Sequence, residues 1–368
     1  MNQDWFHIKN IDEFDSPALV VYPDRIKKNI EAAINMIGDV NRLRPHVKTN
    51  KIAEVCKMML NKDITKFKCA TIAEAEMLGI IEAPDVLLAY QPVGPKGKRL
   101  ISLLKKYSKT QYSCLVDNSE TAQDLNNLCE ENGVTLPVFL DINIGMNRTG
   151  ISPDKAIPLL QKIKKLKALP VLGLHIYDGH IHDTDFTVRK HKSDEVFKAA
   201  EALLQQASLL LNQPLKIIAG GTPTFPVHVQ RKEAECSPGT FVFWDWGYKH
   251  SLPDEPFNYA ALVLSRIISV IDEETICADL GHKSVGAENP LPRTHFLNAP
   301  DAVPVSQSEE HLVMKVPKKN GYKVGDVLYG VPVHICPTVA LYDEVLVVQN
   351  NSISDHWRVI ARSRFITV

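Results

Sequence analysis

Short β-branched or aromatic runs alternate with amphipathic stretches through the first two thirds of the chain, and that rhythm limits the fold more than any other feature. Strand-like runs fall at 42–47, 67–70, 85–90, 112–116, 137–143, 171–177, 215–219 and 239–245. Helical periodicity fills most of the gaps, at about 51–60, 72–80, 96–107, 118–131, 153–166 and 186–211. A crossover long enough to hold a helix lets successive strands run parallel. Eight such runs predict a closed (β/α)8 TIM barrel rather than an open sheet. After about residue 248 the helices stop. Runs at 262–271, 275–279, 311–316, 327–330 and 344–349 predict a second, mostly antiparallel β domain. The expected domains are 20–250 for the barrel and 1–19 plus 251–368 for the β domain.

A chain of 368 residues, 45% hydrophobic and 23% charged, is large enough to bury two cores. Its net charge of -1 gives no electrostatic reason to expect nucleic acid or an anionic membrane as partner. No apolar run approaches the roughly 18 residues of a membrane span. The N-terminal residues lack a basic stretch followed by an apolar one, and seven cysteines follow no paired pattern. A reducing, cytoplasmic location is expected.

Barrels present reactive groups where strands end. Lys48, Asn143, Tyr177, Gly220 and Gly221 all fall at such ends. Lys48 closes the run Arg44-Pro45-His46-Val47-Lys48. A lysine that forms a Schiff base has to lose its charge, which a dry site or a nearby cation promotes. Arg44 and His46 are candidates for that positive potential. The apolar run 217–219 opens into Gly220-Gly221-Thr222, whose backbone N–H groups and hydroxyl suit a phosphate. Arg148, in the turn-rich stretch 143–150, can bind an oxyanion through two parallel hydrogen bonds. Strand alternation puts His175 and Tyr177 on one face. Tyr177 can pack on an aromatic ring or reach a phosphate. His180 or His182 can act as a base near neutral pH. His334 and Cys336 lie two apart, so an extended backbone points both the same way. Imidazole with thiolate favours zinc, and a third and fourth ligand must come from elsewhere. Each feature alone has an ordinary reading: a solvated lysine, a plain turn, a surface arginine, packed loop histidines, a core cysteine.

Taken in order, the motifs resemble the D-threonine aldolase and D-serine dehydratase family, pyridoxal 5'-phosphate enzymes of the alanine racemase-type fold (fold-type III). The stretch 44–49 resembles that family's cofactor-lysine motif, Gly220-Gly221-Thr222 its phosphate turn, and 334–338 its metal motif. Stretches 238–245 and 279–283 resemble it as well, so the likeness covers nearly the whole chain. It implies that Lys48 holds pyridoxal 5'-phosphate, that Arg148 and Tyr177 flank it, and that a divalent metal, zinc or manganese, sits at His334 and Cys336. It implies a homodimeric lyase that cleaves D-β-hydroxy-α-amino acids to glycine and an aldehyde, with His180 or His182 taking the hydroxyl proton. Two alternatives stay open. One is a D-serine or D-threo-3-hydroxyaspartate dehydratase giving a 2-oxo acid and ammonia, with Lys48 removing the α-proton. The other is a non-catalytic carrier of the cofactor. Asn50 stands where related enzymes often have histidine, and Cys336 is found in dehydratases where some aldolases use aspartate. The metal pair therefore does not separate the two chemistries, whereas 338–343 resembles the aldolase branch.

Overall fold

A computed structural model describes residues 5–319 and 321–368. The chain divides into two compact units: a β unit of Met1–Ala32, Thr49–Val55 and Thr240–Arg362, and a barrel unit of Ala33–Lys48, Cys56–Gly239 and Ser363–Val368. This division falls elsewhere than 19/20 and 250/251. Residues beyond 20 stay with the β unit because Asn29, fully buried, donates to Val242 O (3.3 Å) and Asn258 O (2.8 Å). No helix among the described residues is long and apolar enough to cross a membrane.

Strand β1 (Ala18–Val21) belongs to the β unit. The next seven strands form a parallel sheet in sequence order: β2 (Lys66–Cys69), β3 (Asp85–Leu88), β4 (Gln111–Val116), β5 (Val138–Ile142), β6 (Val171–Ile176), β7 (Lys216–Ala219) and β8 (Ala234–Cys236). Helices fill the crossovers, and three of them start on a capping side chain. Thr71 accepts from Glu74 N, Asn118 from Thr121 N, and Asp185 from both Thr187 N and Val188 N. Residues 43–47 fill the gap between β8 and β2. Arg44 N donates to Cys236 O and His46 N to Pro238 O on one side. Val47 N donates to Lys68 O, and Lys68 N to Pro45 O, on the other. Pro45 brings no N–H of its own, so only isolated bridges form there.

The expected strand at 239–245 is not one. Thr240–Val242 is a 3-10 turn, and Trp244 has a positive φ of 54. Phe241, Val242, Phe243 and Trp244 are all buried, so the run is apolar on every side rather than on alternate sides. The strand that does take the place, β8, is hidden in the charged run Lys232-Glu233-Ala234-Glu235-Cys236. Glu235 is tolerated indoors because Arg44 Nε (2.7 Å) and Lys66 Nζ (2.5 Å) neutralise it. Arg44 also forks onto Asp85 at 2.7 and 2.9 Å, so it ties strands together across the barrel. Leu87, Leu115, Phe139 and Ile218 form an apolar layer inside the sheet.

The β unit holds β9 (Ala261–Asp272), β10 (Thr275–Ala278), β11 (Thr294–Phe296), β12 (Val303–Gln307), β13 (Leu312–Lys315), β14 (Val327–Pro332), β15 (Glu344–Gln349) and β16 (Ser352–Arg358). All its pairings are antiparallel except β1 with β15. Alternate residues Val20, Tyr22, Leu262, Leu264, Tyr329 and Val331 face one core. Strands β11, β12 and β16 escape sequence reading. β12 has no buried position at all, so no alternation marks it.

Candidate active site

Four elements of the barrel unit lead into the groups around the Tyr177 ring. Residues 43–47 lead into Lys48, β5 into the loop of Arg148, β6 into Tyr177, and β7 into Gly220. The Lys48 Nζ lies 5.9 Å from the ring centre, the Arg148 guanidinium 4.9 Å, and the Lys68 Nζ 5.7 Å. Like charges do not gather this way without a reason, since each raises the energy of the others. Asp141 is nearby but already bonded, with its Oδ1 2.7 Å from His175 Nδ1. Burial would lift the Asp141 carboxyl, yet the His175 bond and the Lys68 charge hold it below its ordinary value. His175 is pushed down by burial, with Asp141 opposing, and its buried Nε2 has no hydrogen-bond partner.

The glycine turn is shaped by what surrounds it. Gly220 has φ +69, and a Cβ there would come within 2.5 Å of His228 Cδ2 and 2.7 Å of Thr224 Oγ1. A Cβ on Gly221 would come within 2.9 Å of Tyr177 Cε2. Thr222 is buried, and its Oγ1 accepts from Gly239 N at 3.1 Å. A network that sequence reasoning missed stands behind the turn. Asp178, fully buried, accepts from Thr224 Oγ1 (2.7 Å), Ser193 Oγ (3.3 Å) and His228 Nε2 (2.8 Å). Arg231 Nη1 donates to His228 Nδ1 at 2.7 Å, which leaves the proton on Nε2 facing Asp178. Burial acts to raise Asp178, but His228 and Thr224 outweigh it and hold the carboxyl low. The spacing of Thr224 and His228 was the one signal for this network, since i and i+4 share a helix face.

His180 and His182 are both exposed. His182 Nδ1 lies 2.9 Å from His180 O. Gly145, at φ +118, leaves room for the His180 ring: a Cβ would meet its Nε2 at 2.8 Å. No hydrogen bond among the described residues joins either imidazole to Lys48, Arg148 or Tyr177.

In the β unit, His334 and Cys336 are not on an extended segment. His334 precedes the short helix Ile335–Val339 and Cys336 lies inside it, because Asp245 Oδ2 accepts from Ile335 N at 3.1 Å and starts the turn. The His334 Nδ1 is 2.5 Å from Glu288 Oε1. The Cys336 Sγ is 3.2 Å from Thr49 Oγ1 and 3.6 Å from Thr240 Oγ1. Burial acts to lower the His334 pKa, but Cys336, Asp245 and Glu288 outweigh it and push it up to about 9. Asp245 is itself pushed up to about 6 by burial. Among the described residues no three His, Cys, Asp or Glu side chains are grouped to hold a metal ion.

Residues 21–244 match the family of alanine racemase N-terminal domains. The chain belongs to that family. Members of the alanine racemase-like group use pyridoxal 5'-phosphate, and residues 260–348 match a serine dehydratase domain. The D-threonine aldolase of Arthrobacter sp. is 26% identical over 95% of this chain and 93% of its own. The 3-hydroxy-D-aspartate aldolase of Paracoccus denitrificans is 26% identical over 96% and 93%. A D-threo-3-hydroxyaspartate dehydratase of Delftia sp. is 24% identical over 63% and 62%. The crystal structure of D-threonine aldolase from Filomicrobium marinum superposes with a TM-score of 0.87 at 24% identity, over 97% of each chain. These relatives are named as aldolases and a dehydratase, all of them lyases.

The alanine racemase-type barrel here fits the family's cofactor. A phosphate-bearing aromatic aldehyde is an anion, and the mouth offers uncompensated cations, a turn stripped of Cβ atoms and an amine at a strand end. The unpartnered His175 Nε2 adds a buried group with hydrogen-bonding capacity to spare.

Proposed function

We propose that the protein is a pyridoxal 5'-phosphate- and divalent-metal-dependent lyase that cleaves D-β-hydroxy-α-amino acids such as D-threonine to glycine and an aldehyde. One observation carries the reading: Lys48 and Arg148 converge on Tyr177 beside a turn that glycines keep open. The cofactor, when bound, supplies an electron sink for the charge left as a bond to the substrate's α-carbon breaks. The Lys48 Nζ is the amine for its covalent attachment. Arg148 binds an oxyanion, Tyr177 packs on a ring, and the amides of Gly220, Gly221 and Thr222 with the Thr222 hydroxyl hold the phosphate. His180 or His182 takes the proton of the substrate hydroxyl at an imidazole nitrogen. The opening that Gly145 leaves for the His180 ring, in the loop that carries Arg148, supports His180 for that role.

His334 and Cys336 would hold the metal, zinc by the softness of the donors or manganese, with water or a substrate oxygen completing the set. Its contribution would be Lewis acidity, which lowers the pKa of a bound hydroxyl. The same reading carries a homodimer and a cytoplasmic location, the latter consistent with seven free cysteines. A dehydratase acting on D-serine or D-threo-3-hydroxyaspartate is the second reading, supported by the likeness to the Delftia relative.

Purified protein loaded with cofactor and metal is mixed with D-threonine. Acetaldehyde and glycine are expected. Appearance of 2-oxobutanoate and ammonia replaces the aldolase with the dehydratase. Bound cofactor with neither product leaves a carrier and ends the lyase reading.

A further inference from the structure

Lys68 has no part in the reading above, yet it is only 2% exposed. Alternation along β2 sends Lys66 and Lys68 to the same face. Lys66 is accounted for by Glu235 Oε1 (2.5 Å) and Asn41 O (2.7 Å). Lys68 is not. Its Nζ makes one long hydrogen bond, 3.4 Å, to the carbonyl of Gly220, and no carboxylate of the described residues lies within ion-pair distance. A buried ammonium held this weakly is unfavourable, and the ordinary outcome is loss of the proton. Burial foremost, with Lys48 and Arg44, brings its pKa down to about 7 against the opposing pull of Asp141 and Asp178. Tyr177 and His175, the latter already neutralised toward Asp141, complete the groups around it.

The contact that Lys68 does make decides what it is for. Gly220 is the first residue of the turn whose amides suit a phosphate. An anion placed there would supply the counter-charge that the strand does not. We propose that Lys68 is a positioning residue, the buried counter-cation that recognises the cofactor's phosphate from inside the barrel. The two lysines then divide the work: Lys48 attaches the aldehyde and Lys68 holds the anion. This rests on the pyridoxal 5'-phosphate reading, and the test separates the two.

The probes are pyridoxamine 5'-phosphate, which has no aldehyde for Lys48 to capture, and pyridoxamine, which also lacks the phosphate. Binding to the cofactor-stripped full chain is measured by calorimetry for wild type and Lys68→Met. A charged hydrogen bond lost to the phosphate predicts that the variant binds pyridoxamine 5'-phosphate about tenfold more weakly or worse, with pyridoxamine changed by less than about twofold. Equal affinity of both proteins for the phosphorylated probe overturns the proposal, and so does an equal loss for both probes. Wild type that binds neither probe overturns the cofactor reading and this one with it. Wild type alone gives a check that needs no variant. In two buffers of different ionisation enthalpy at about pH 8, the phosphorylated probe should bind with net proton uptake as Lys68 recharges. Binding without uptake overturns the proposal even if the variant does not fold.

Discussion

Replacing Lys68 by methionine should make the cofactor-free barrel more stable near neutral pH, and the gain should shrink as pH rises. The buried amine falls from its ordinary value of 10.5 to about 7 in the folded chain. Below pH 7 folded and unfolded chains both carry the proton, and the full penalty of burying it applies. Between about 7 and 10.5 the unfolded chain binds a proton that the folded one does not, so the penalty falls with rising pH. At about 1.4 kcal/mol per pH unit, softened because the amine is only half charged at pH 7, the difference between variant and wild type should close by roughly 2 kcal/mol from pH 7 to pH 9. Methionine fills a similar volume, and its other effects are independent of pH, so the slope carries the test rather than the offset. All four tryptophans lie in the β unit, so none is a direct reporter within the barrel. Urea unfolding followed by far-ultraviolet circular dichroism, where the barrel helices dominate, is the suitable assay. A difference that stays flat from pH 7 to pH 9 would refute the claim that Lys68 is driven toward neutrality by its surroundings.

The network behind the phosphate turn should be costly to break. Asp178→Ala leaves His228 and Thr224 without their acceptor and should destabilise the barrel by about 3 kcal/mol, with cofactor affinity falling as well. Unchanged urea midpoints would count against it. Gly221→Ala puts a methyl group 2.9 Å from Tyr177 Cε2, so the ring has to move. Cofactor titration followed by absorbance should show weaker binding with little change in unfolding, and wild-type affinity would mean that the ring position is unimportant. Cys336→Ala should lower bound zinc or manganese, measured by atomic absorption after dialysis, while leaving the barrel transition in place. Full metal retention would remove that thiol from the ligand set.

The barrel was legible because buried parallel strands are continuous apolar runs, and β3 to β7 each carry one. β8 was not, because Glu235 looks like a surface residue until Arg44 and Lys66, far away in sequence, are seen beside it. The opposite error at 239–245 has the same root. A run such as Phe241-Val242-Phe243-Trp244 reads as a strand whenever its burial is assumed to be two-sided, and here it packs as a turn. The glycine turn and Lys48 could be found locally, since a turn and a strand end are local features. Lys68, Asp141 with His175, and Asp178 with His228 could not. Their meaning lies in partners 34 and 50 residues apart for the two pairs, and 152 for Lys68 with Gly220. Sequence reading offered Arg44 and His46 as the source of positive potential near Lys48, and Arg44 is committed elsewhere. The fold spends that guanidinium on Asp85 and Glu235, and Lys68 is the cation that faces Lys48.

Borohydride reduction of the cofactor-loaded protein, followed by peptide mapping in a mass spectrometer, tests the central assignment most directly. Reduction freezes whichever lysine is joined to the aldehyde. A phosphopyridoxyl mass on the peptide that contains Lys48, and none on the peptide with Lys68, is the predicted result. The label on Lys68, or on no lysine of the barrel, would contradict it.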